Sequence, residues 1–93
     1  MKKILVVSGS GKETSKAVAE KLLYILTDMG MQEKAEVNIV DIKDFDEDIK
    51  KGDMIISTML IDNEKYKMPI FSGLPFLTGI RLNEEIDKIV CAL

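Results

Sequence analysis

Residues 3–22 read KILVVSGSGKETSKAVAEKL, and the succession of residue types along them decides the fold. Residues 3–7 are a short apolar run bounded by glycine, the pattern of a strand buried on both faces. A loop of Ser, Gly, Ser, Gly and Lys follows at residues 8–12. From residue 14 to residue 29, Val18, Leu22, Ile25, Leu26 and Met29 fall at helical spacing, with Lys16, Glu20, Lys21 and Asp28 on the other side. Gly30 suits the position just past the end of that helix.

Outward from this unit the alternation continues. Residues 35–42, AEVNIVDI, read as a second strand carrying Val37, Ile39 and Ile42. Residues 43–53, KDFDEDIKKGD, are acidic and turn-rich, and read as a short helix and loop on a solvated surface. DMIISTML, residues 53–60, is apolar nearly throughout and reads as a third strand; IDNEKYKM, residues 61–68, reads as a polar loop. PIFSG, residues 69–73, reads as a fourth short strand, with Pro69 first, where a missing donor matters little. Gly73, Pro75 and Gly79 punctuate a turn, and Leu82, Ile86, Ile89, Val90 and Leu93 form a last helical stripe. This order predicts one α/β domain over residues 1–93, in three layers, with a four-stranded, mainly parallel sheet and helices on both faces. Ligands of such sheets bind at the edge where the strands end, here the loops at 8–13, near Asp41, after Met59 and after Phe71.

Composition narrows the chemistry. Of the 93 residues, 46% are hydrophobic and 31% charged, which argues for a packed domain over disorder. A net charge of −3 with no basic block argues against nucleic acid as a partner. No apolar run approaches the ~18 residues of a membrane span, so no direct membrane insertion is expected. The MKKILVV start mimics a secretion signal, but its apolar stretch is short and ends in a glycine loop, so it reads as the first strand. The chain has no His, which removes the commonest general base and metal ligand, and one Cys, which removes an internal disulfide. No metal site and no cofactor are expected. Cys91, in the last apolar stripe, reads as a packing residue.

The first loop ends at a helix N-terminus, and its backbone N–H groups favour an anion. Ser8, Ser10, Thr14 and Ser15 add hydroxyl groups, Lys12 adds a positive charge and Glu13 a negative one. A plain capped turn is the competing reading, because Ser10-x-x-Glu13 fits a capping box. A nucleoside-triphosphate loop of the form G-x-x-x-x-G-K-[ST] fails: Val6 stands where the first glycine belongs and Glu13 follows Lys12. SGSGKET also resembles the flavin-phosphate loop of flavodoxins, although the chain has no Trp and only Tyr24 and Tyr66 as tyrosines. A small phosphate- or cofactor-binding module of that kind is an alternative.

The third comparison is more specific. Ser8, five residues to Glu13, then Thr14-Ser15 has the spacing of a loop in which a nucleophile ends the first strand and a hydroxyl pair opens the helix. With KILVVSGSGKETSKAVAEKL at the start, MIISTMLID in the middle and PIFSGLPFLTGI near the end, the chain resembles the galactitol-type IIB components of the bacterial phosphoenolpyruvate-dependent sugar phosphotransferase system. The segment Pro75-Phe76-x-x-Gly79 is the best single discriminator of the type. The resemblance covers essentially the whole length. It implies a flavodoxin- or Rossmann-like four-stranded parallel sheet and a cytoplasmic phosphocarrier peripherally associated with the membrane. It also implies a IIA protein as phosphohistidine donor, and transfer of the phosphoryl group to a sugar held by the membrane IIC permease. It assigns the phosphoacceptor role to position 8 and carries the helix-opening pair Thr14 and Ser15; phosphate binding is expected over Gly9, Ser10, Gly11, Lys12, Glu13, Thr14 and Ser15, with Lys12 not carried from the family and read as solvated.

At position 8 the family has Cys and this chain has Ser. A thiol ionises near pH ~8.5, and lower beside a helix N-terminus, whereas an alcohol needs a base to take its proton. With no His to do so, Ser8 is expected to impair transfer. Two origins of Ser8 stay open: a deliberate replacement of Cys, or a natural form with a regulatory, non-transferring role. Thr58 reads as a sheet residue or as part of the site's rim, and Phe76 as core.

Overall fold

A computed structural model describes residues 1–59, 61, 66 and 68–93. The polar loop expected at residues 61–68 falls largely outside the described residues; the third strand, expected over residues 53–60, ends at Ser57, where the Ser57 hydroxyl accepts the Met59 N–H and turns the chain. In chain order the elements are β1 (Lys2–Val7), α1 (Lys12–Asp28), β2 (Ala35–Ile39), α2 (Phe45–Asp48), β3 (Met54–Ser57), β4 (Ile70–Ser72), α3 (Leu74–Thr78) and α4 (Leu82–Ala92). Single 3-10 turns, Ile42–Asp44 and Ile49–Lys51, flank α2. The strands form one sheet in the order β2-β1-β3-β4, and every pairing is parallel.

Strand periodicity divides the core into two layers. Ile4, Val6, Met54 and Ile56 point to one face, where Val18, Leu22 and Leu26 of α1, Phe76 of α3 and Ile86 and Ile89 of α4 cover them. Leu5, Val7 and Ile55 point to the other, against Val40, Phe45 and Ile49. Each large side chain so enclosed is worth about 1.5–3 kcal/mol of transfer free energy. The acidic segment 43–53 is therefore not wholly a solvated surface: Phe45 and Ile49 stand four apart on one helical face and close the second layer. Gly52 lies against the same layer, where an added Cβ would sit 2.5 Å from the Leu5 side chain.

Helix α1 ends as expected. Gly30, at φ 72°, lets its own N–H reach the Thr27 carbonyl and the Met31 N–H reach the Leu26 carbonyl, a closed C-terminal cap. Four other expectations change. Met29 caps the helix and is 46% exposed instead of joining the stripe. The second strand stops at Ile39, because the Asp41 carboxylate accepts the Lys43 N–H and turns the chain. Residues 74–78 are a helix, not a turn: Pro75 occupies its first turn, where no N–H is needed, and Gly79 ends it at φ 79°. Cys91 is exposed, because the buried stripe of α4 runs through Ile86 and Ile89 on another face.

Candidate functional site

β1 lies inside the sheet with a neighbour on each side, so the residue after it emerges at the middle of the strand-end edge. That residue is Ser8, only 2% exposed. Its Oγ accepts two hydrogen bonds, from the Ser10 N–H at 3.1 Å and from the Thr58 hydroxyl at 2.9 Å. Fifty residues separate Ser8 from Thr58, and the parallel register joins them: the Thr58 N–H extends the β1–β3 ladder by donating to the Val7 carbonyl. Sequence reading left Thr58 open; it stands directly on Ser8.

The loop between Ser8 and α1 leaves donors uncommitted. Gly11, at φ 107° and ψ 175°, adopts a conformation essentially restricted to glycine, and the helix starts after it. Ser15 donates its N–H to the Gly11 carbonyl at 3.4 Å. Among the described residues, the N–H groups of Gly9, Gly11, Lys12, Glu13 and Thr14 have no acceptor within the protein. The Ser10–Glu13 capping box does not form: Gly11 is the cap residue and no side chain caps the helix, because its extended, positive-φ backbone moves the helix start past Ser10. The N-terminal donors of a long helix thus stay open to solvent, which is the state an anion site requires.

The remaining side chains divide. Ser10, Lys12 and Glu13 are exposed and Thr14 is half-buried. Lys12 is not simply solvated; its exposed ammonium lies 3.7 Å from the half-buried Asp41 carboxylate, which ties the β1–α1 loop to the end of β2. Ser15 is fully buried, and its hydroxyl has no partner among the described residues.

The exits of β3 and β4 complete the edge. The Ser57 hydroxyl accepts the Met59 N–H and donates to the Met59 carbonyl, which fixes the turn after β3. Met59 Sδ would lie 3.4 Å from a Cβ added at Gly9, an ordinary contact distance, so the turn after β3 packs beside the start of the loop. A cleft of about 260 Å³ opens beside Thr58, bounded by Met59, Phe71, Ser72 and Leu74 among others. Away from this edge, Tyr24 is exposed in a cleft between α1 and α4, and Tyr66 packs edge-on against Phe45 with its hydroxyl on Asp46. Among the described residues, no helix is long and apolar enough to cross a membrane, and no cluster of His, Cys, Asp and Glu could hold a metal ion.

No protein-family model matches the chain. It is 35% identical over 93 residues to the protein described as "Putative phosphotransferase enzyme IIB component SgcB" of Escherichia coli (strain K12), covering 97% of this chain and 98% of that one. Similarity of that degree over both whole lengths, on a four-stranded parallel sheet, identifies the family: the chain belongs to the phosphotransferase enzyme IIB components.

Proposed function

We propose that this chain is a galactitol-type IIB phosphocarrier domain of a sugar phosphotransferase system, with position 8 as its phosphoacceptor position. The observation that carries the reading is the placement of Ser8, at the end of central strand β1 and at the root of a loop with uncommitted N–H groups. In the first step the nucleophile at position 8 attacks phosphorus on a IIA phosphohistidine. A bond from position 8 to phosphorus forms, the nitrogen–phosphorus bond breaks, and its electron pair returns to the imidazole. The free N–H groups of Gly9, Gly11, Lys12, Glu13 and Thr14 are placed to hold the phosphoryl oxygens through this step. In the second step a sugar hydroxyl held by the membrane IIC component takes the phosphoryl group, and the bond to position 8 breaks. The domain works in the cytoplasm, docking in turn on IIA and on the membrane component.

Ser8 weakens both steps. Among the described residues the side chain on its Oγ is the Thr58 hydroxyl, which is no base, and the Ser8 alkoxide is a far poorer leaving group than a thiolate. The chain with Ser8 therefore binds a phosphoryl-like anion and transfers it slowly. This same observation favours a second reading, a regulatory IIB relative that engages IIA without transfer.

The experiment is phosphoryl uptake from a labelled IIA of the same operon, with the chain as it stands and with Ser8→Cys. The missing base accounts for about 10²–10⁴-fold in rate, so Ser8→Cys is expected to take up label at least about a hundred times faster. No uptake by Ser8→Cys from any such IIA overturns the carrier reading.

A further inference from the structure

We infer that Thr58 is a positioning residue for the phosphoacceptor, holding the side-chain atom at position 8 in the state that carries negative charge. The inference rests on the reading of position 8 as the acceptor, and it names a residue fifty positions away that serves it. Two groups converge on that atom: the Ser10 N–H at 3.1 Å, which can only donate, and the Thr58 hydroxyl at 2.9 Å, which donates to an anion and turns to accept from a neutral partner. A neutral hydroxyl or thiol has a proton of its own to place, whereas a thiolate only accepts. An ion at position 8 collects both bonds as donated ones, so the Thr58 hydroxyl adds to the Ser10 N–H in favouring the ionised form.

Thr58 is also locked. Its backbone N–H is held by the Val7 carbonyl. Its methyl Cγ2 lies 3.1 Å from where a Cβ on Gly73 would be, so Gly73 leaves room for the methyl while the hydroxyl meets Ser8. A β-branched side chain so wedged has little rotamer freedom, and its donor arrives already oriented.

Charged groups on the neighbouring elements are otherwise engaged or exposed. Lys12 and Asp41 pair with each other at 3.7 Å, and Glu13 lies exposed in the first turn of α1. Glu85 accepts the Ser72 N–H at 2.8 Å and pairs with Lys88 at 3.6 Å. Among the described residues, the exits of β3 and β4 present Ser57, Thr58 and Ser72 and no charge.

The test uses the full chain with Ser8→Cys and Cys91→Ser, so that the introduced thiol is the sole one, and follows thiolate ultraviolet absorbance against pH. Adding Thr58→Val or Thr58→Ala is expected to raise the midpoint by about one pH unit, a tenfold change in ionisation equilibrium, while Thr58→Ser stays near the parent. Should Thr58→Val not fold, Thr58→Ala against Thr58→Ser isolates the same hydroxyl. Equal midpoints with and without the hydroxyl overturn the inference, as does an equal rise in Thr58→Ser, which would assign the effect to packing. No partner protein takes part, so this outcome is independent of whether IIA delivers phosphate.

Discussion

Two strand-to-helix turns on the same edge of the sheet differ in where their hydrogen bonds go. After β1, five N–H groups in and beside the loop have no acceptor among the described residues, and α1 begins uncapped. After β4, the turn is closed on itself: the Gly73 N–H goes to the Ser57 carbonyl, the Leu74 N–H to the Ser72 hydroxyl and the Phe76 N–H to the Gly73 carbonyl, while Pro75 has no N–H. The second turn is structural; it finishes the β3–β4 ladder and seats Phe76 in the core. The first leaves donors unspent where a strand presents its last side chain. Unclaimed donors, more than glycine content, distinguish a loop that can receive an anion from one that merely reverses the chain.

That contrast can be broken from the first turn. Gly11→Ala forces a side chain into a backbone region that glycine alone adopts readily, a strain of about 1–3 kcal/mol. A urea melt should lose that stability, and stabilisation by added phosphate should fall or vanish. A smaller effect is expected from the second turn. Gly73→Ala brings a methyl to 3.1 Å from the Thr58 side chain, and overpacking of this kind costs about 1–3 kcal/mol, eased here because Thr58 stands at the half-open edge. Its signature is indirect: stabilisation by phosphate should weaken although no residue of the first loop has changed.

Ser15→Ala sharpens the contrast with the opposite sign. A buried hydroxyl without a partner carries a desolvation penalty of about 1–3 kcal/mol, and Ala is the better helix former. The variant is expected to melt higher by about 1 kcal/mol or more; an undiminished response to phosphate would assign Ser15 to packing, and a lost one to the ligand. The smallest effect belongs to Lys12→Ala. Lys12 is exposed and its contact with the half-buried Asp41 is a long 3.7 Å, so stability should change by less than about 1 kcal/mol, with phosphate affinity falling only modestly and less so at high salt.

The middle of the sheet was legible in the sequence because β1 and β3 are buried on both faces and read as apolar runs. The long helix was legible because its stripe keeps one period. Segment 43–53 misled, because its charge outweighs two apolar residues and only the sheet shows what Phe45 and Ile49 cover. Residues 74–78 misled for another reason: Pro75 and Gly79 look like breakers in a string, yet one opens a helix and the other closes it. The loop's spacing pointed to Ser8, but Thr58 carried no local sign. Its contact with Ser8 arises from parallel pairing across fifty residues, which no short window contains.

The unclaimed amides after β1 have a further consequence, in time rather than in geometry. Val6 and Val7 belong to a strand flanked on both sides, so their amides should exchange with deuterated solvent only when the whole sheet opens. The amides of Gly9, Gly11, Lys12, Glu13 and Thr14 have no acceptor among the described residues and should exchange almost at once. Fast and slow amides then stand within a few residues of each other. A bound anion would slow the fast group alone and leave the slow one as an internal clock, so the molecule carries its own reporter for occupancy of this loop.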